Sequence, residues 1–181
     1  MSLIQRYRMY RKIGMELNHR IMKVCLDREV MMNSARLLGL VHEDTLVFES
    51  KDETSVLMDF ALNEYKENNR NLIQIYRDRG CWQNEIERDI LDALLSSYTS
   101  LFKVTFISKA EDTLFLSDVL NKKENIELID IGLSVSGVPG LLLFFRLVPL
   151  EDLNMTSGVS FVFPGNREEH LLRRYRKLSK K

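Results

Sequence analysis

The hydrophobic pattern changes period once along the 181 residues, near position 101. Before that point apolar residues recur at helical spacing. Ile13, Leu17, Ile21 and Val24 stand four, four and three apart, which places them on one stripe of a helix. The pattern continues through "REVMMNSARLLGL" and stops at Gly39, a residue that takes the left-handed conformation at a helix end without a Cβ penalty. Ser50 and Glu53 then form a capping box, which predicts a helix over about 52–67 burying Val56, Leu57, Phe60, Ala61 and Tyr65. "NLIQIYRDRG" predicts a further helix closing at Gly80. Another starts near Asn84, with Glu85 and Glu87 at its positive end and Ile86, Ile90, Leu91, Leu94, Leu95 and Tyr98 on its apolar face.

After residue 101 the period falls toward two. "FKVTFI" alternates, and "TLFLSDVL", "IELIDIGL", "LLLFFRLV" and "GVSFVF" are short β-rich runs parted by Asn, Lys, Gly, Asp or Pro. Five such runs predict a small twisted antiparallel sheet or partly closed barrel. Pro164 and Gly165 end the last one, and "REEHLLRRYRKL" predicts a terminal helix with Leu171, Leu172, Tyr175 and Leu178 on one side. The fold class is therefore α+β: a helical lobe over 1–100 packed on a five-stranded β part over 101–165, followed by a basic helix over 166–181.

A run of large apolar residues at 141–148 raises the question of a membrane segment. Arg146 interrupts it, and the run is less than half of the ~20 residues that cross a bilayer. No transmembrane segment is expected. The glycines before it, Gly132, Gly137 and Gly140, lack the Gly-Lys-Ser/Thr ending of a phosphate loop, so with Pro139 they predict the turn that leads into a buried strand.

Charge excludes little on the whole chain, because 26 basic residues balance 26 acidic ones. Its distribution says more. Residues 1–28 hold seven basic and two acidic side chains, residues 167–181 the same, so each end carries +5 and the middle −10. One reading has the termini lying as solvated helices whose charges pair with the acidic body. The other makes them a basic face for an anionic partner, nucleic acid included, with Arg6, Arg8, Arg11, Arg173, Arg174 and Arg176 as contacts and Tyr7, Tyr10 and Tyr175 as stacking residues. The C-terminal helix also has the composition of a membrane-surface helix, on a narrow apolar stripe.

Catalytic and metal motifs are sparse. Cys25 and Cys81 have no second thiol near them in sequence and read as reduced, half-buried side chains of a cytoplasmic protein. His19, His42 and His170 show no metal-ligand spacing, and "HEDT" at 42–45 is a loop with helix-capping acids or a weak divalent-cation cluster. No metal ligand set and no cofactor are expected. Asp59, set between Met58 and Phe60, and Arg146 are candidate half-buried charges that a lock between them would satisfy; Asp118 and Asp130 compete for the same arginine. The N-terminal "MSLIQRYRMYRKIG" places charges where an export signal needs an apolar core.

The order "MDFALNEY", "ERDILDALLSSYTSLFKV", "LSDVLNKKENIELIDIGLS", "LLLFFRLVPL" and "MTSGVSFVFP" resembles a group of uncharacterised bacterial proteins that join a helical region to a small β-barrel. Some carry a cysteine-rich zinc-binding tail of the SEC-C type. The resemblance spans about 45–175 and implies a fold and a bacterial, cytoplasmic setting, with no reaction attached. The present tail, "RYRKLSKK", has no cysteine and so lacks the zinc ligands. Three functions stay open at this level: a non-enzymatic module for an unknown macromolecular partner, an enzyme or small-ligand binder with a site between helical and β parts, and a nucleic-acid binder acting through the basic ends. Oligomeric state is not encoded in any motif.

Overall fold

The computed structural model describes residues 1–179. Lys180 and Lys181, two of the basic residues counted at the C-terminal end, lie outside the described residues. The chain divides into two units, one made of residues 8–96 and the other of residues 1–7 with those from Ser97 on.

The first unit holds most of α1 (Leu3–Cys25), then α2 (Arg28–Leu38), the two-residue strands β1 (Val41–His42) and β2 (Thr45–Leu46), α3 (Lys51–Asn63), α4 (Leu72–Asp78) and α5 (Glu85–Leu95). Leu17 and Ile21 are fully buried, as their spacing predicts, but Val24 at the end of the same stripe is half exposed. The helix does not run on into α2, because Asp27 breaks it and caps the next one, accepting from Val30 N at 2.8 Å. Gly39 closes α2 at φ 74°. The "HEDT" segment is the tight turn of the β1–β2 hairpin, with Glu43 and Asp44 both at positive φ and Asp44 paired to Arg36 at 3.0 Å.

Glu53 Oε2 accepts from the backbone N of Ser50 and of Glu49, as the capping box requires. The α3 helix ends four residues earlier than its apolar pattern suggests. Asn63 turns its amide back onto Asp59 O, and Asn71 Nδ2 holds Asn63 O at 2.8 Å across a turn whose Asn68 and Asn69 sit in the left-handed region. Asparagine tolerates that conformation better than most residues, so local turn chemistry overrides periodicity here. Asn71 and Asn84 cap α4 and α5 from their side chains.

The second unit is an open five-stranded antiparallel sheet in the order β5-β4-β3-β6-β7. Its strands are β3 (Tyr98–Ser108), β4 (Thr113–Asp118), β5 (Lys123–Ile129), β6 (Leu142–Pro149) and β7 (Asn154–Phe163). Tyr98, expected on the apolar face of α5, instead opens β3, since the helix stops at Leu95 and Ser96 caps it. Phe102, Val104, Leu114, Leu116, Leu128, Leu143, Phe145 and Leu147 form the core of one face, where Phe102 and Phe145 stack at 4.4 Å between ring centroids. The sheet does not close into a barrel. At one corner side chains of β7 still reach the end of β5, with Asn154 Nδ2 donating to Glu127 O at 2.8 Å and Thr156 Oγ1 to Asp130 Oδ2 at 3.4 Å.

The run "IELIDIGL" is not one strand. It divides at Asp130, whose Oδ1 accepts from Leu133 N and starts the short helix α6 (Ile131–Ser136), and Leu133 packs on the sheet core. The turn at 137–140 delivers the chain into β6, with Gly140 at φ 89°. A 3-10 turn (Gly165–Arg167) then leads into α7 (Glu168–Leu178).

Candidate interaction surface

The six arginines expected to face an anionic partner do not share one environment. Arg6 forms an ion pair with Asp152 inside the sheet unit. Arg8 is exposed and Arg11 half-buried. Arg173 pairs with Glu169 one turn before it at 3.1 Å, an exposed pair worth about 0.3–0.5 kcal/mol. Among the described residues, no ion pair or hydrogen bond engages the guanidinium groups of Arg174 and Arg176. At the N-terminal end, then, Arg6 pairs with a carboxylate of the body, whereas the C-terminal end leaves two arginines open to solvent.

The placement of α7 follows from its sequence. Pro164 stops β7, Glu168 and Glu169 occupy the positive end of the helix, and Arg176 with Lys177 occupy the negative end. Lys103 of β3 donates to Glu168 Oε2 at 2.9 Å and fixes the first turn to the sheet. Beyond that turn the apolar stripe loses cover. Leu171 and Leu172 are half-buried, but Tyr175 is 51% exposed and Leu178 65% exposed. Tyr175 and Leu178 follow Leu171 by four and seven positions, so all three lie on one side of the helix, flanked by Arg174, Arg176 and Lys177. The apolar side expected for this helix is open for half its length.

Asp59 lies in α3, where Asn63 Nδ2 approaches its carboxylate at 3.4 Å. Arg146 lies in β6, only 4% exposed, with Nη1 donating to Ser97 Oγ at 3.3 Å. Asp118, a competitor for that arginine, is engaged elsewhere. Its Oδ1 accepts from Ser100 Oγ at 2.5 Å, Leu120 N at 3.1 Å and Asn121 N at 3.0 Å, while Oδ2 accepts from Asn121 Nδ2 at 2.8 Å. Burial alone would push this carboxyl up, but the hydrogen bonds outweigh it and hold the group below the ordinary carboxylate range. The Tyr98 phenol beside it is pushed up, first by burial and then by the charge and hydrogen bond of Asp118. Lys123 Nζ sits 4.7 Å above the Tyr98 ring. This network locks the β4–β5 hairpin. A carboxylate so well supplied with donors is a weak base, and the arrangement is structural. Its signal in the sequence is Asp118 followed by Asn121, an Asx turn between two β-rich runs.

Two of the glycine amides before β6 are spent inside the fold: Gly137 N donates to Leu133 O and Gly140 N to Val104 O, each at 2.7 Å, so neither is open to a phosphate. A cavity of about 380 Å³ lies at the corner where β5 and β7 approach, lined by Leu3, Leu150 and Leu153 with Glu127, Glu151 and Asp152. Cys25 is half-buried as expected, whereas Cys81 is exposed. Among the described residues no group of three or more His, Cys, Asp and Glu is placed to hold a metal ion, and no helix is long and apolar enough to cross a membrane.

No curated protein and no solved structure matches the chain. One family model does, over its whole length. With residues 1–181 matched, the chain belongs to the family of unknown function DUF7986.

Proposed function

We propose that this protein is a non-enzymatic interaction module of the bacterial cytoplasm, and that α7 is the element it presents to a protein partner. The observation that carries the reading is the open stripe of Tyr175 and Leu178 beside three basic side chains, on a helix whose first turn is tied to β3 through Glu168 and Lys103. Apolar anchors at i, i+4 and i+7 are what a helix offers to an apolar groove. The basic flank selects a groove with an acidic rim. Nucleic acid fits the charges but not the leucines: stacking needs flat aromatic faces, and Tyr175 is the single aromatic residue of α7.

Affinity capture from extract of the source cell, with nuclease, tests the reading by comparing the native chain with the Tyr175→Ala/Leu178→Ala double variant. A stoichiometric protein that survives nuclease and is lost with the double variant is the expected result. Recovery of RNA or DNA, abolished by nuclease and indifferent to the double variant, would replace the proposal with nucleic-acid binding.

A further inference from the structure

The two cysteines of the chain, remote in sequence, meet at one residue. Arg79 Nη1 lies 3.8 Å from Cys25 Sγ, across 54 positions of chain, and Arg79 O lies 3.8 Å from Cys81 Sγ. Cys25 is the last residue of α1, and Cys81 follows Gly80 in the connection between α4 and α5. That connection is held in place. Gly80 reverses the chain at φ 65°, and Tyr76 Oη donates to Cys81 O at 3.0 Å. Cys25, half-buried, thus faces the guanidinium of Arg79, and Cys81, exposed, its carbonyl.

We infer that Cys25 and Cys81 are a dithiol modification site, converted by a peroxide into one intramolecular disulfide. The exposed Cys81 is the thiol that peroxide reaches first. Its thiolate displaces hydroxide from hydrogen peroxide, forming an S–O bond as the O–O bond breaks, and becomes a sulfenic acid. The Cys25 thiolate then attacks that sulfur, the S–O bond breaks and water leaves. The two sulfurs give up two electrons and the peroxide is reduced to two waters. The Arg79 guanidinium serves the second step, because the attacking species is the thiolate and a cation at 3.8 Å favours it. Burial pushes the Cys25 thiol up while Arg79 pulls it down, which suits a thiol that waits for a sulfenic acid and does not react with oxidant itself. Cys25 is the last residue of α1 and Cys81 lies in the connection between α4 and α5, so neither thiol belongs to a helix interior.

The test uses the full reduced chain at low concentration, treated with hydrogen peroxide, quenched by alkylation and examined as intact protein and as peptides. The expected product is a monomer that has lost both thiol hydrogens and yields a Cys25–Cys81 linked peptide. Cys25→Ser should stop at a dimedone-reactive sulfenic acid on Cys81, and Cys81→Ser should leave Cys25 unmodified over the same time. Arg79→Gln, with unchanged circular dichroism, should slow closure several-fold without slowing sulfenic acid formation. Dimers linked through Cys81 alone, or independent oxidation of the two thiols to sulfinic acids with no linked peptide, would overturn the inference.

Discussion

Ser100 Oγ donates to Asp118 Oδ1 at 2.5 Å between neighbouring strands, and both residues are almost completely buried. The carboxylate is ionised inside the sheet because backbone and side-chain donors replace its water. A group whose folded value is depressed adds stability that is present above its unfolded value, about 3.9 for aspartate, and lost as pH falls through the folded value. Asp118→Asn should thus cost about 1.5–3 kcal/mol near neutral pH, the weight of hydrogen bonds to a charged group. Urea unfolding across pH should show the gap between variant and native chain narrowing below the ordinary carboxylate range. A gap that does not change with pH would contradict this account of the hairpin.

The Tyr98 phenol reports the same charge from the other side. Burial keeps it high in either protein, but the contribution of Asp118 disappears in the variant. Ultraviolet titration of the tyrosines should show one phenol moving down toward about 10 in Asp118→Asn while the others stay in place.

In the helical unit the comparable buried charge is Glu87. Arg20 Nη2 lies 2.5 Å from its Oε1, and Gln83 N donates to its Oε2 at 2.8 Å, so one carboxylate both pairs a cation of α1 and supports the start of α5. Glu87→Ala should cost about 3 kcal/mol by removing the buried carboxylate that pairs with Arg20. The Glu87→Met/Arg20→Met double variant should recover part of that loss, and a double-mutant cycle from denaturant melts measures the coupling.

Two glycines near the start of β6 separate backbone strain from crowding. Gly140 has φ 89° and open space around an added Cβ, so Gly140→Ala reads the conformational term alone, about 1–3 kcal/mol. A Cβ on Gly165 would meet the Gly140 carbonyl, so Gly165→Ala requires one backbone segment to move and should lower Tm further.

Much of this fold is readable in the chain because its stop signals are local. Gly39, Ser50 with Glu53, Gly80 and Asn84 each act through their own few neighbours, and all stand where their chemistry predicts. The five-stranded sheet follows from alternation in the same way. Failures occur where two local signals compete. Tyr98 continues a helical spacing and also opens an aromatic, β-branched run, and the strand takes it. Asp130 sits inside a β-rich stretch but caps six residues too short to show a helical period. The apolar stripe on α7 follows from helical spacing, yet whether Tyr175 and Leu178 are covered depends on what packs there, which periodicity does not record. The approach of Cys25 to the Arg79 guanidinium is likewise tertiary, created by the path of the chain across 54 positions.

The most direct measurement for the central reading is the affinity of the captured protein partner for the native chain and for Tyr175→Ala/Leu178→Ala, each titrated from low to high salt. Two desolvated anchors at more than 1 kcal/mol apiece predict a loss of at least about thirtyfold in the double variant, with folding stability changed by less than about 0.5 kcal/mol per surface site. Native binding should weaken as salt rises, since Arg174, Arg176 and Lys177 meet an acidic rim. Equal affinity of the two chains, or binding indifferent to salt, would show that α7 is not the docking element.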